Sequence, residues 1–136
     1  MNIAVQEAQG RVPVTIMQLH GELDASNYLN VITKAQEVYQ AGARDLLLDL
    51  TDLSYMSSAG LMALHSAALI MRGAEPPDPE YGWSAYHSMA KDREGGVDQH
   101  CKIFNPQPSV DRALDITGFK AFLEVYTDMG AALASF

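Results

Sequence analysis

Basic residues are scarce in this chain. Lys and Arg number 9 against 17 Asp and Glu, a formal charge of −8. No basic patch interrupts the excess, and an acidic surface repels phosphate backbones, which argues against nucleic-acid binding. Cysteine is nearly missing. Cys101 stands alone, so no internal disulfide can form, and a reducing cytoplasm is the expected location. No window reaches the roughly 18 uninterrupted apolar residues of a membrane span. The run from Leu61 to Met71 is shorter and contains His65 and Ser66, so no membrane insertion is expected. The start, Met1-Asn2-Ile3-Ala4-Val5-Gln6-Glu7, has neither a basic beginning nor a long apolar run and does not read as a signal peptide. Catalytic signatures are missing too. There is no Gly-rich loop followed by Lys-Ser or Lys-Thr, no GxGxxG run and no nucleophile elbow. His87, His100 and Cys101 lie close in sequence without a zinc pattern. No catalytic residue, cofactor or metal is expected, and the chain does not read as an enzyme.

What is present is globular. With 136 residues and 48% hydrophobic content, residues 1–136 read as one domain with a core that needs no staple. Ile3 to Gln6 and Val12 to Leu19 read as two strands around a turn at Gln9-Gly10, with Val12, Val14 and Ile16 alternating. Gly21 breaks the pattern. Asp24 to Ala41 reads as a helix, with Tyr28, Val31, Ile32, Ala35, Val38 and Tyr39 on one face, Asp24 or Ser26 as its cap and Gly42 at its end. Leu46 to Leu50 is the nearly unbroken apolar run of a strand covered on both faces. A second helix follows from about Ser58 to Arg72. Lys102 to Asn105 reads as a short strand, then a helix capped by Ser109. Ala121 to Tyr126 reads as the last strand, and Thr127 caps a final short helix that buries Met129, Ala132 and Leu133. The expected class is α/β, a mixed sheet of about five strands with four main helices.

The densest information lies in Asp49-Leu50-Thr51-Asp52-Leu53-Ser54-Tyr55-Met56-Ser57-Ser58-Ala59-Gly60-Leu61. An apolar strand passes through a polar turn into small residues, and a helix begins. Two hydroxyls therefore sit among free N–H groups at the positive end of a helix dipole, where an added negative charge is tolerated. The plain role of such a serine is capping. Asp24 carries the same ambiguity: it can cap the first helix, meet a partner, or do both. Asp49 and Asp52 resemble a paired-carboxylate site only superficially, since Asp52 can simply form the turn.

Three blocks together resemble the STAS domain family, the fold of bacterial anti-sigma-factor antagonists. They are Gly21-Glu22-Leu23-Asp24-Ala25-Ser26-Asn27, the stretch Leu47 to Leu61, and Ile103-Phe104-Asn105-Pro106 through Leu114-Asp115-Ile116-Thr117-Gly118-Phe119. The resemblance implies transcription regulation by partner switching. An unmodified antagonist holds an anti-sigma factor that is also a serine kinase; phosphorylation of a serine at the start of the second helix breaks that hold, and a serine phosphatase restores it. Alignment on Gly60 puts the phosphoacceptor on Ser58, with Ser57 as the alternative. It puts the loop of Asp24, Ser26 and Asn27 at the partner surface beside the acceptor; from the residues around Ser57 and Ser58 themselves, partner binding is expected to include apolar Met56 and Leu61, with Asp52 nearby. The chain departs from the family where an acidic residue usually precedes the acceptor and a serine follows it: Ser57 and Ala59 stand there. A STAS module without phosphorylation, for ligand sensing, signalling-complex assembly or a transport machine, is the alternative reading.

Residues 74–100 form a long insertion between the second helix and the fourth strand, where the family usually has a short turn. It holds the one tryptophan, Trp83, and Ser84 to Asp92 reads as a short helix. It is either a cover for its own domain or a separate contact, including a homodimer through Trp83.

Overall fold

The computed structural model describes residues 1–74 and 97–136. Trp83, the helix expected at 84–92 and most of the insertion lie outside the described residues.

A hairpin starts the chain. β1 (Asn2–Gln9) and β2 (Pro13–Leu23) pair antiparallel in unbroken register from Asn2 opposite His20 to Gln9 opposite Pro13. β1 outruns the expected Ile3–Gln6 at both ends, and β2 outruns the expected Val12–Leu19 at its end. For β2 the reason lies at Gly21. It adopts φ 106°, a conformation that favours glycine, and the register shifts between Gly21 and Glu22. The residue read as a breaker is therefore a bulge, and β2 continues past it to pair with a strand that the sequence pattern had not revealed.

That strand is β4 (Leu53–Met56), read from sequence as part of a polar turn. Its outer residues Leu53 and Met56 are buried and Ser54 and Tyr55 exposed, so it shows no period of two. It pairs in parallel with Gly21–Leu23, beyond the point where β3 (Leu46–Asp49) pairs with Thr15–Gln18. β5 (Cys101–Phe104) joins β3 in parallel and β6 (Val125–Tyr126) joins β5, giving a mixed sheet of six strands in the order β1-β2-β3-β5-β6, with β4 on β2. All four residues of β3 are buried, as a central strand requires.

Helices cover both faces. α1 (Tyr28–Gln40) buries Val31, Ile32 and Ala35, and α2 (Ser58–Met71) is buried along its length from Gly60 to Met71. With α3 (Pro108–Ile116), they close a core around Met17, Leu19, Leu48, Leu64 and Phe119. On the other face Val14, Ile16 and Leu47 pack under Ala132 of the short α4 (Met129–Ala134), flanked by Met129, Leu133 and Phe136. The buried Lys102 ties this end down, its Nζ donating to the Ser135 carbonyl at 2.9 Å.

Four local expectations are corrected. α1 starts at Tyr28, not Asp24, and neither Asp24 nor Ser26 caps it; the Asp24 side chain turns to Ser26 instead. α3 is preceded by Gln107 with Pro108 in its first turn, where a missing N–H costs nothing, so Ser109 is not the cap; its Oγ donates to the Ser54 carbonyl at 3.1 Å. The stretch Ala121–Tyr126 is strand only at Val125–Tyr126. Gly118, at φ 78°, ends α3 and leads into a 3₁₀ turn at Phe119–Ala121 that buries Phe119, while Phe122 and Leu123 are buried by side-chain packing. Asp128, not Thr127, caps α4 by accepting from the Ala131 N–H at 2.8 Å.

Gly60 lets α2 approach the ends of β2 and β4. A Cβ there would stand 2.6 Å from Met56 Cγ and 3.0 Å from Leu23 Cγ. Gly60→Ala should therefore cost about 1–3 kcal/mol through overpacking, read as a lower urea midpoint at unchanged slope. An unchanged midpoint would show that the approach is not tight.

Candidate functional site

The site forms because β2 and β4 end side by side. Leu23 lies opposite Met56, and the Ser57 N–H donates to the Leu23 carbonyl at 2.9 Å. Glu22 to Asn27 and Ser57-Ser58, which are thirty or more positions apart in the chain, thus emerge together at one end of the sheet.

The loop after β2 is internally bonded. Asp24 Oδ1 accepts from the Ser26 N–H at 2.9 Å and from the Ser26 hydroxyl. Asn27 Oδ1 accepts from the Asp24 N–H at 3.0 Å, and Asn27 Nδ2 donates to the Glu22 carbonyl at 2.8 Å. The Ser26 hydroxyl, followed by its N–H, holds the Asp24 carboxyl below the usual carboxylate range, so this surface group stays ionised.

The two serines have different tasks. Ser57 is extended, at φ −86° and ψ 179°, and its Oγ accepts from the Gly60 N–H at 3.4 Å. It is the cap. Ser58 is the first helical residue and is exposed. The N–H groups of Ser58 and Ala59 fall in the first turn, where the helix supplies no acceptor. An anion at Ser58 would gain about 0.3–1 kcal/mol from the helix dipole. The ionised Asp24 on the neighbouring loop opposes part of that gain.

Two expected contact residues are not on the surface. Met56 and Leu61 are 7% and 4% exposed and belong to the core, because one closes β4 and the other the first turn of a buried helix. A partner reaches their edges at most. Asp52 is also not beside Ser58. It precedes β4 while Ser57 follows it, roughly 15 Å of strand apart, and it pairs with His20 Nδ1 at 3.2 Å. The apolar surface at this end comes from residues that sequence reasoning missed: Leu29, in the first turn of α1, and Tyr55, on β4 opposite Glu22, are each 50% exposed. Leu29 carried a readable signal, being a large apolar residue outside the Tyr28, Val31, Ile32, Ala35 stripe. Tyr55 carried none, because β4 itself was hidden.

A polar network steadies β4 from behind. Asp49 Oδ1 accepts from the Thr51 N–H at 3.0 Å and from its hydroxyl. Asn105 Nδ2 donates to Thr51 Oγ1 at 3.2 Å, and Gln107 Nε2 to the Thr51 carbonyl at 2.9 Å. Asn105 adopts φ 52°, one of the left-handed conformations that Asn tolerates better than most residues. Asp49 is thus a turn former held by Thr51.

Among the described residues, no group of three or more His, Cys, Asp or Glu is placed to hold a metal. Cys101 is fully buried, and burial, then the nearby Asp98, pushes its thiol well above its usual range. His100 pairs with Asp45 at 3.0 Å instead. Among the described residues no helix is long and apolar enough to cross a membrane.

The model of the STAS domain matches residues 4–72, just over half of the chain. Solved structures resemble the whole fold. An anti-sigma factor antagonist from Mycobacterium paratuberculosis is 16% identical with a TM-score of 0.68, covering 98% of this chain and 92% of that one. A putative anti-sigma factor antagonist from Thermotoga maritima is 15% identical with a TM-score of 0.69, covering 96% and 90%. The Bacillus cell fate determinant SpoIIAA in its phosphorylated form is 16% identical with a TM-score of 0.56, covering 96% of each chain. At these identities the likeness is one of fold. No protein of curated function matches the chain.

The division between the serines can be measured. Ser57→Ala should lower unfolding stability by about 1 kcal/mol through loss of the cap. Ser58→Ala should stay within about 0.5 kcal/mol of the parent. Equal losses in urea titration would contradict the assignment.

Proposed function

The chain belongs to the STAS domain family, and from that premise we propose that it is an anti-sigma-factor antagonist that binds an anti-sigma factor with serine kinase activity and is released by phosphorylation of Ser58. The observation that carries the reading is the exposed Ser58 on the first turn of α2, at the end of the sheet where the loop of the ionised Asp24 also emerges. Ser57, whose oxygen is engaged as the cap, is the lesser candidate for modification. A serine phosphatase completes the cycle, and a reducing cytoplasm suits the components.

The physical argument is one of charge at an interface. A phosphoserine brings about −1.5 to −2 charges at neutral pH. The free domain tolerates it, because helix N–H groups and water solvate it. A partner seated over Ser58, Asp24, Leu29 and Tyr55 would seal the group beside a carboxylate and apolar side chains. Without a cation to pair with, that burial costs several kcal/mol, more than the dipole returns. Modification therefore ejects the partner and leaves the fold intact.

A STAS module that is not phosphorylated is the second reading, favoured by Ser57 and Ala59 at positions where classical antagonists differ. Intact mass of the protein from its native cells separates the two. A species heavier by one phosphate, mapped to Ser58, is expected. In binding assays with the cognate anti-sigma factor, Ser58→Ala should keep affinity and Ser58→Asp lose at least about tenfold, or 1.4 kcal/mol. Equal affinities of folded variants, or a co-purifying small molecule or ATPase subunit in place of the phosphate, would sink the switch.

A further inference from the structure

Acids outnumber bases 17 to 9 in this chain, yet one cleft has only bases for its charged walls among the described residues. It holds about 510 Å³ between Tyr39, Arg44, Met71, Arg72 and His100. The bases come from three separate segments, so no run of sequence displays them. Arg44 precedes β3, His100 precedes β5, and Arg72 follows α2. Ser58 stands at the other end of α2, about 20 Å away.

Each base is held from outside the cleft. Arg72 Nε faces Asp98 at 3.5 Å, and His100 Nδ1 pairs with Asp45 at 3.0 Å. The side chains of those two acids are 3% and 17% exposed, and neither lines the cleft. Arg44 has no carboxylate partner among the described residues. Its Nη1 donates to the Tyr39 carbonyl at 2.9 Å and to the Ala43 carbonyl at 2.7 Å, and its guanidinium lies 4.0 Å from the centroid of the Tyr39 ring. A cation on the carbonyls at the end of α1 has a structural use. That use occupies one nitrogen of three. Nε and Nη2 form the edge that grips an oxyanion through two parallel hydrogen bonds, and they have no partner among the described residues.

We propose that this cleft binds a small organic phosphate, with Arg44 as the fixed fork and Arg72 and His100 meeting the remaining oxygens. The arrangement of the bases favours phosphate over carboxylate. Donors arriving from three segments suit a tetrahedral group with oxygens in several directions, whereas a carboxylate offers two oxygens in one plane. The volume points to an ester rather than the bare ion, because Tyr39 and Met71 supply an apolar wall for an organic body. The charge of −8 opposes any anion at long range and disfavours an anionic bilayer most, so binding rests on short hydrogen bonds to a ligand small enough to enter. The inference draws nothing from the reading of Ser58.

Titration of the ¹⁵N-labelled full chain with phenyl phosphate should move the amide signals of Arg44, Arg72 and His100 with a Kd on the order of 1 mM or tighter. The signals of Ser57 and Ser58 should stay in place. Benzoate, of similar size but planar at its charged end, should bind at least about tenfold more weakly. Arg44→Gln should lose at least about tenfold in affinity, and Arg44→Lys, which keeps the charge without the fork, should lose most of it, each with the far-ultraviolet spectrum of the parent. His100→Gln should weaken binding without touching the end of α1. Arg112→Gln, which removes an exposed base from α3, should bind like the parent. Signals that move at the start of α2 instead of at the cleft overturn the proposal. So do equal affinities for phenyl phosphate and benzoate, equal losses in Arg44→Gln and Arg112→Gln, or binding to phosphatidylglycerol vesicles without binding to phenyl phosphate.

Discussion

The parallel pairing of Gly21–Leu23 with Leu53–Met56 is the contact on which the site depends. β2 is long enough to serve two neighbours on one side, β3 along its middle and β4 at its end. The bulge at Gly21 makes that division possible, because it re-aims the strand where β3 stops. Leu23 and Met56 then bury side by side, and Gly60 lets the first turn of α2 settle on them. Every donor and acceptor in this corner follows from that packing: Ser57 bonds back to Leu23, Gly60 bonds to Ser57, and Ser58 is left facing out. A polar surface has been built on an apolar hinge.

The same corner separates a structural hydroxyl from a chemically available one. Adjacent serines look equivalent as letters. Once the helix start is defined, one oxygen is spent on a backbone N–H and the other is not. The Asp24 loop is built in the same way, with its carboxylate held by Ser26 and its conformation by Asn27, so that a negative charge is presented rather than hidden. The Asp49, Thr51, Asn105 and Gln107 network braces the turn before β4. The carboxyl-terminal third therefore contributes to the site by bracing β4, through this turn and through Ser109 at the Ser54 carbonyl.

Much of the fold was legible because burial leaves periodic traces. The continuous apolar run of β3, the stripe on α1 and the apolar length of α2 all appear where the pattern put them. Boundaries set by local competition were less visible. Asp24 has the chemistry of a cap, yet Ser26 sits closer to it than the helix does. Ser109 has the same chemistry, yet Pro108 starts the helix and the hydroxyl is drawn to β4. β4 left no trace at all: two buried residues separated by two exposed ones fit neither a period of two nor one of 3.6.

By itself, the sequence determined the alternation of strands and helices, the acidic surface and the presence of a hydroxyl pair at a helix start, because each depends on residues close together in the chain. Only the tertiary structure decided which serine caps, that Met56 and Leu61 are core, that Leu29 and Tyr55 are surface, and that the loop of Asp24 and the Ser57-Ser58 turn leave the same end of the sheet while Asp52 lies at the other end of β4. Those outcomes depend on a strand pairing between segments some thirty residues apart. Long-range contacts of that kind are selected by the packing of the whole sheet, and no local pattern encodes them.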